Sequence, residues 1–249
     1  MLSELLKSYG KLAIAFSGGV DSSTLLAYSV KVLGKENVLP LICSSAFSIK
    51  RVEDTAKEVA KELNIRLHIV NINPFLYANI IENGADRCYY CKQLIFSTLQ
   101  TYANDLGFLT LADGSNFDDD DAGRPGAKAA RELCVISPLK GAEFTKEMVR
   151  SLAHDLGLKN SRMSANSCLA TRIKSGEVIT EQVLKMVEKS ENEILESYGF
   201  ARLRVKYLVD KVVVEISKHD SEQLHENSEA IIEIIKGVFE DVLVEIATV

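Results

Sequence analysis

Seven residues near the start of the chain, Ser17-Gly18-Gly19-Val20-Asp21-Ser22-Ser23, have the types and order of a phosphate-binding loop. They lie between a short apolar stretch (11–16) and a helical pattern (21–33). Two glycines let the backbone turn sharply and approach a ligand closely. The N–H groups of Val20 to Ser23 would point at an anion, helped by the helix dipole. The hydroxyls of Ser17, Ser22 and Ser23 add donors, and Asp21 can hold Mg²⁺ on bound phosphates. A glycine-serine turn that merely caps a helix uses the same letters. Seven suitable residues placed after the first strand favour phosphate. The run is not G-x-x-x-x-G-K-[ST], and no lysine in it is placed to grip a γ-phosphate. A loop that cradles pyrophosphate suits cleavage between the α- and β-phosphates, giving an adenylate and pyrophosphate.

Sulfur chemistry is the second candidate. There are five cysteines, an odd number, which argues against a disulfide framework and for metal binding or reactivity in a subset. Cys88 and Cys91, in Arg87-Cys88-Tyr89-Tyr90-Cys91-Lys92, open a helical pattern and share one helical face. Their spacing is that of metal ligands or a redox pair, and Arg87 and Lys92 could lower the thiol pKa. Cys168 lies 77 positions beyond Cys91, among small polar residues that read as a loop. Cys43 and Cys134 lie in apolar surroundings and read as core packing. Asp118 to Asp121, followed by Gly123, Arg124 and Pro125, read as a solvated loop, with Mg²⁺ binding the less favoured alternative.

These residues need a scaffold, and the patterning supplies one. Apolar runs at 11–16, 38–43, 66–70 and 109–112 alternate with helical patterns at 21–33, 50–63 and 88–107. Alternation of this kind implies parallel crossovers and an α/β, doubly wound parallel sheet, with ligands at the carboxyl ends of its strands. After about residue 175 the pattern changes to helix (180–198), strands (202–207, 211–216), helix (220–239) and strand (242–246). The expected organisation is a nucleotide domain at 1–175 and a smaller α+β domain at 176–249.

Composition sets outer limits. The chain has 249 residues, 47% hydrophobic and 26% charged, which excludes disorder for most of it. No apolar run approaches the ~18–20 residues of a membrane span, and the early run is too short for a signal-peptide core, so a cytoplasmic protein is expected. Net charge is −6 and the pI near 5.4, which makes nucleic acid an unlikely partner.

S-G-G-x-D-S resembles the signature of the ATP pyrophosphatases (the PP-loop, adenine nucleotide alpha hydrolase-like group). That group includes GMP and NAD synthetases and several thiolation enzymes. Further motifs narrow the resemblance: R-C-Y-Y-C-K (87–92), D-G-S-N (113–116), R-P-G (124–126), S-P-L (137–139), C-L-A-T-R (168–172), and Gly199-Phe200 leading into Leu203-Arg204-Val205. In this order they resemble the LarE family, ATP-dependent sulfur transferases that make the nickel-pincer nucleotide cofactor of lactate racemase. The resemblance covers about residues 11–216.

What it implies is specific. ATP would activate a carboxylate of pyridinium-3,5-biscarboxylic acid mononucleotide, and a protein-borne sulfur would displace AMP. Members with only the cysteine matching Cys168 give up its sulfur. Members with all three, as here, would hold a [4Fe–4S] cluster through Cys88, Cys91 and Cys168, fed by a sulfide donor. Asp21 would hold Mg²⁺, and Gly114 would join the loop in binding ATP. Arg172, Arg204 and Arg124 would bind the substrate or its phosphates, as guanidinium forks do. A homo-oligomer with contacts through the C-terminal domain is also implied. The chain departs from the family after Arg204, where Lys206 replaces a second arginine. Other possibilities are a tRNA thiolation enzyme, an amidotransferase-type synthetase lacking a glutaminase segment, and a non-catalytic ATP or iron–sulfur module.

Overall fold

A computed structural model describes residues 1–119, 125–164, 166–240 and 242–249. The chain divides into two compact units. One comprises residues 1–74 and 88–166, the other 75–87 and 167–249. The division therefore falls nine residues before the expected position at 175/176, and the second unit also takes in a segment from the middle of the chain.

The first unit opens with helix α1 (Leu2–Tyr9), strand β1 (Leu12–Ala15), helix α2 (Val20–Leu33), β2 (Val38–Ser44), α3 (Lys50–Glu62) and β3 (His68–Asn71). The short α4 (Ala78–Ile81) belongs to the second unit. Then come α5 (Arg87–Asp105), β4 (Leu111–Ala112), α6 (Pro125–Glu132), α7 (Pro138–Gly141) and α8 (Lys146–Asp155). The four strands form a parallel sheet in the order β3-β2-β1-β4.

Period-two alternation assigns each strand residue to a face. Leu12, Ile14, Val38 and Ile42 pack in one core with side chains of α1, α2, α3 and α8. Ala13, Leu39, Leu41 and Leu111 pack in another with Phe96, Leu99 and Ala103 of α5 and Ala130 of α6. Helices cover both faces, so both carry apolar side chains, and the inner strands β1 and β2 read as nearly continuous apolar runs, whereas edge strand β3 is half exposed. The expected α/β doubly wound sheet is thus observed.

Three differences from the sequence expectation matter. The fourth strand is only Leu111–Ala112, and Leu109 is 84% exposed. Pro125 begins a helix rather than ending a loop, as suits a residue with no N–H to satisfy at a helix start. Helices α1 and α8 were not anticipated.

The second unit contains α9 (Glu181–Tyr198), β5 (Leu203–Tyr207), β6 (Lys211–Ile216), α10 (Ser221–Lys236) and β7 (Leu243–Thr248). Its three-stranded sheet runs β5-β6-β7, antiparallel then parallel. Thr180 caps α9 by accepting the Val183 N–H at 3.3 Å, and Gly199 ends it at φ 67°, in the left-handed region. The segment 75–87 is held within this unit by backbone bonds from Ile179 to Ile81 (2.8 Å) and from Gly176 to Asn83 (2.9 Å). Such long-range pairing leaves no local sequence pattern. Among the described residues no helix is long and apolar enough to cross a membrane.

Candidate functional site

Strand order 3-2-1-4 makes the chain run outward in opposite directions on the two sides of β1. The crevice between the carboxyl ends of β1 and β4 is thus the topological switch point, where ligands of open α/β sheets bind. The Ser17–Ser23 loop leaves the end of β1, and Asp113-Gly114 leaves the end of β4.

The two loops are in close contact. A Cβ on Gly114 would stand 2.7 Å from the Ser22 nitrogen and 2.9 Å from the Ser22 Cα, both backbone atoms. Gly18 has φ +79°, and a Cβ there would stand 2.5 Å from the Val52 carbonyl oxygen. Both positions exclude any side chain. Gly19 differs, because its φ is −71° and a Cβ would meet only the Ser17 hydroxyl at 3.6 Å. Its openness leaves that stretch of backbone accessible to a ligand.

Side chains lock the loop. The Ser17 N–H donates to Ser22 Oγ (3.2 Å), the Ser17 and Ser22 hydroxyls are 3.1 Å apart, and Ser22 Oγ donates to the Gly19 carbonyl (3.1 Å). Buried Asn160 donates to the Gly18 carbonyl (3.0 Å) and to Ser23 Oγ (2.8 Å). The first N–H groups of α2 have no intrahelical acceptor and open at the end of β1. An anion is their natural partner.

Asp21, in the first turn of α2, accepts from Asn116 Nδ2 at 3.2 Å and forms an ion pair with Lys146 Nζ. Lys146 is the first residue of α8, where Asp118 Oδ2 accepts its backbone N–H at 2.7 Å. Asp119 Oδ2 accepts the Asn116 N–H at 3.0 Å. Asp118 and Asp119 are therefore not merely solvated surface, since they shape the loop that carries Asn116 and the start of α8. Asp120, Asp121 and Arg124 lie outside the described residues. A lysine does reach the phosphate loop, but from 125 residues further on, so no motif window contains it. Asn116, Asn160 and Lys146 are functional candidates that sequence reasoning missed.

A cavity of about 370 Å³ adjoins the end of β4, lined by Cys88, Lys92, Asp113, Ser115, Arg131 and Ser137 among others. Asp113 is held there by Ser115 Oγ (2.9 Å) and Ser137 Oγ (2.7 Å). The wall formed by α6 is clamped to α5 through Glu132, which accepts from Tyr89 OH at 2.6 Å. Cys88 and Cys91 lie in the first two turns of α5. Lys92 Nζ sits 4.8 Å over the Phe96 ring, and the Arg87 guanidinium donates to Asn83 and to the Ala170 carbonyl.

None of the five cysteines is in a disulfide. Cys43 is half-buried against the α5 face of the sheet, and burial pushes its thiol up to about 12. Cys134 was expected in the core but is exposed. It adopts φ +54° just after α6, turning the chain so that Val135 rather than Cys134 enters the core.

In the second unit Cys168 is exposed and directly precedes a single 3₁₀ turn over Leu169–Arg172. Arg172, an expected substrate ligand, is 1% exposed and pairs with fully buried Glu191 at 2.9 Å. Arg204 is half-buried on β5. Burial first, then the neighbouring Arg202 and Arg172 charges, pull its guanidinium below the usual value. Lys206 is paired with Glu215. Among the described residues, no three His, Cys, Asp or Glu side chains form a ready metal site.

Comparison with known proteins follows the same lines. The NAD synthase family pattern matches residues 3–88. The chain is similar to the pyridinium-3,5-bisthiocarboxylic acid mononucleotide synthase of Lactiplantibacillus plantarum, at 32% identity over 211 residues, covering 85% of this chain and 76% of that protein. An NH(3)-dependent NAD(+) synthetase of Pyrococcus furiosus is 39% identical over 119 residues, 44% of this chain and 45% of that one. A tRNA-5-methyluridine(54) 2-sulfurtransferase of Pyrococcus horikoshii is 34% identical over 121 residues, 47% of this chain and 38% of that one. With its phosphate loop at the switch point of a parallel sheet and a relative matched over most of its length, the chain belongs to the PP-loop ATP pyrophosphatase family, to which the L. plantarum synthase also belongs.

Proposed function

We propose that the protein is an ATP-dependent sulfur transferase of the LarE type. It would adenylate a carboxylate of pyridinium-3,5-biscarboxylic acid mononucleotide and replace AMP with sulfur. The observation that carries this proposal is the adjacency, in the first unit, of the phosphate loop and a cysteine-lined cavity at the end of β4. The phosphate loop touches Gly114, and the cavity beside Asp113 is lined by Cys88. This placement supports ATP chemistry and a thiol acting at one sheet edge.

The residues divide the work as follows. The N–H groups at the start of α2, with Ser17 and Ser22, would hold the phosphates. Asp21 would hold Mg²⁺, and Lys146 would pass from Asp21 to the phosphate oxygens when Mg²⁺·ATP enters. Two cations on the departing pyrophosphate stabilise charge where it develops. The cavity would take the acyl acceptor. Arg204, in the second unit, is proposed as a phosphate ligand on the strength of its motif. By donor chemistry the thiols of Cys88, Cys91 and Cys168, none of them in a disulfide, would suit an iron–sulfur cluster. A [4Fe–4S] cluster on three thiolates leaves one iron open to carry sulfide. We place substrate contacts and self-association in the C-terminal unit, and the protein in the cytoplasm.

The test is incubation of the anaerobically reconstituted protein with Mg²⁺·ATP, sulfide and the dicarboxylate mononucleotide. AMP, pyrophosphate and a thiocarboxylate product are expected. ADP and phosphate as main products would overturn the assignment of the loop. Pyrophosphate release only with bulk tRNA, giving thiolated tRNA, would transfer the function to nucleic acid. Absence of turnover with either acceptor would leave a binding module.

A further inference from the structure

We propose that Arg87, Arg172 and Glu191 are positioning residues that fix the turn carrying Cys168. The proposal deepens the function above and rests on Cys168 taking part in sulfur transfer. All the contacts that motivate it lie within the second unit.

The turn has little to hold it by itself. It is one 3₁₀ turn of four residues, and runs this short do not persist on local bonds alone. Its carbonyls are instead held by guanidinium groups. Arg172 Nη1 donates to the Ser167 carbonyl (2.7 Å), to Ser167 Oγ (2.7 Å) and to the Cys168 carbonyl (3.3 Å). The Cys168 carbonyl also accepts the Thr171 N–H (3.0 Å) and the Thr171 hydroxyl (2.8 Å). Arg87 Nη1 donates to the Ala170 carbonyl at 2.9 Å and is itself oriented by Asn83. Asn83 is anchored in turn to the Lys174 carbonyl at 2.8 Å. Two arginines, 85 residues apart in sequence, thus hold the backbone on both sides of one short turn.

Glu191 makes the arrangement rigid. Its carboxylate takes Arg172 Nε (2.9 Å) and Nη2 (3.3 Å) as a fork, and the Val205 N–H (3.0 Å) as a third bond. The Cys168 turn is thereby tied to α9 through Glu191 and to β5 through Val205. A fully buried ion pair contributes little net stability over an apolar pair of similar volume. Its gain is direction, because a planar fork fixes angle as well as distance. Lysine supplies charge without the fork. The Cys168 thiol itself stays exposed, so the constraint falls on its backbone and leaves the sulfur accessible.

The test uses the full chain with the variants R172K, E191Q, E191A, R87K and C168A, and a sixth, T171V, at an exposed hydroxyl that can be removed without opening the core. AMP release and thiocarboxylate formation are measured separately, each as kcat and KM, with amide exchange of the 167–173 peptide as an activity-independent readout. In R172K, E191Q and R87K the sulfur step should lose about 100-fold in kcat, the scale of a displacement near 1 Å. KM values and AMP release should stay within about twofold of wild type, since the ATP site lies in the other unit. E191A should lose more than E191Q, and exchange of the 167–173 peptide should rise in parallel, with T171V showing a smaller rise and loss. Wild-type sulfur transfer in R172K and E191Q, or in T171V despite faster exchange, would overturn the proposal. So would parallel loss of AMP release and the sulfur step, because that pattern is loss of fold. If C168A retains sulfur transfer, it is the role of Cys168 that fails, whatever the arginine variants do.

Discussion

Gly114 gives a quantitative test of how closely the two loops must approach. Ordinary van der Waals contact begins near 3.4 Å, and a Cβ at Gly114 would lie 2.7 Å from the Ser22 nitrogen. The obstructing atoms are backbone at the start of α2, so no rotamer change relieves them. Either the loop after β4 or the first turn of α2 must move by about 0.7 Å. Overpacking of this kind costs roughly 1–3 kcal/mol of stability. The functional loss should be larger, because the displaced N–H groups are those proposed to bind phosphate, and 1 Å of misplacement costs about 100-fold. Gly114→Ala should therefore remain folded, melt at a lower temperature, and release AMP about 10–100-fold more slowly. Gly19→Ala is the control: φ is −71° and the nearest non-neighbouring atom is 3.6 Å away, so stability should hardly change. Pyrophosphate release and calorimetric melting on the same preparations decide the matter. Wild-type rates in Gly114→Ala would refute the close-contact reasoning. A large stability loss in Gly19→Ala would refute the contrast drawn between the two glycines.

The other expectations are more direct. Asp21→Ala and Lys146→Ala should each slow AMP formation by about 100–1,000-fold. Stability should change by only about 0–1 kcal/mol, because the pair is partly exposed. A normal rate in either removes that residue from the phosphate site. Single replacement of Cys88, Cys91 or Cys168 should abolish sulfur transfer with adenylation intact; a Cys88→Ala protein that completes one turnover and converts Cys168 to dehydroalanine would show that Cys168 gives up its own sulfur. The Cys43 thiol, raised to about 12, exposes only about 10⁻⁴ thiolate at pH 8. Iodoacetamide should label it roughly a thousandfold more slowly than Cys134, and comparable labelling would contradict its burial.

The phosphate loop was legible because its parts are contiguous: strand, glycines, helix start. The sheet was legible because its inner strands β1 and β2 are nearly unbroken apolar runs alternating with helical patterns. Helix α8 had a signal, Thr145 as cap and Met148, Val149, Leu152 and Ala153 at helical spacing, that its many charges obscured. Lys146 could not be picked out, since its role depends on α8 bringing it to Asp21. Glu191 reads as one more solvated carboxylate in a charged helix, and only its contacts with Arg172 and Val205 reveal a buried ion. The exchange of segment 75–87 into the second unit is likewise a tertiary fact, carried by Asn83 at φ +55° and the backbone bonds around it.

The position of Lys146 also bears on which phosphate bond breaks. In a G-x-x-x-x-G-K-[ST] loop the lysine follows the glycines directly and lies along the β- and γ-phosphates. Here the loop closes on itself through Ser17 and Ser22, and among the described residues the cation paired with Asp21 comes from α8. The positive groups thus face the acidic residue at the first turn of α2, while Gly114 holds that turn against the end of β4. On the proposed function, a nucleotide with its terminal phosphates on the α2 N–H groups and Lys146 would present its α-phosphorus toward the cavity beside Asp113. Attack by a carboxylate from the cavity would then expel pyrophosphate toward the cations and leave the proposed acyl adenylate beside the cavity that Cys88 lines.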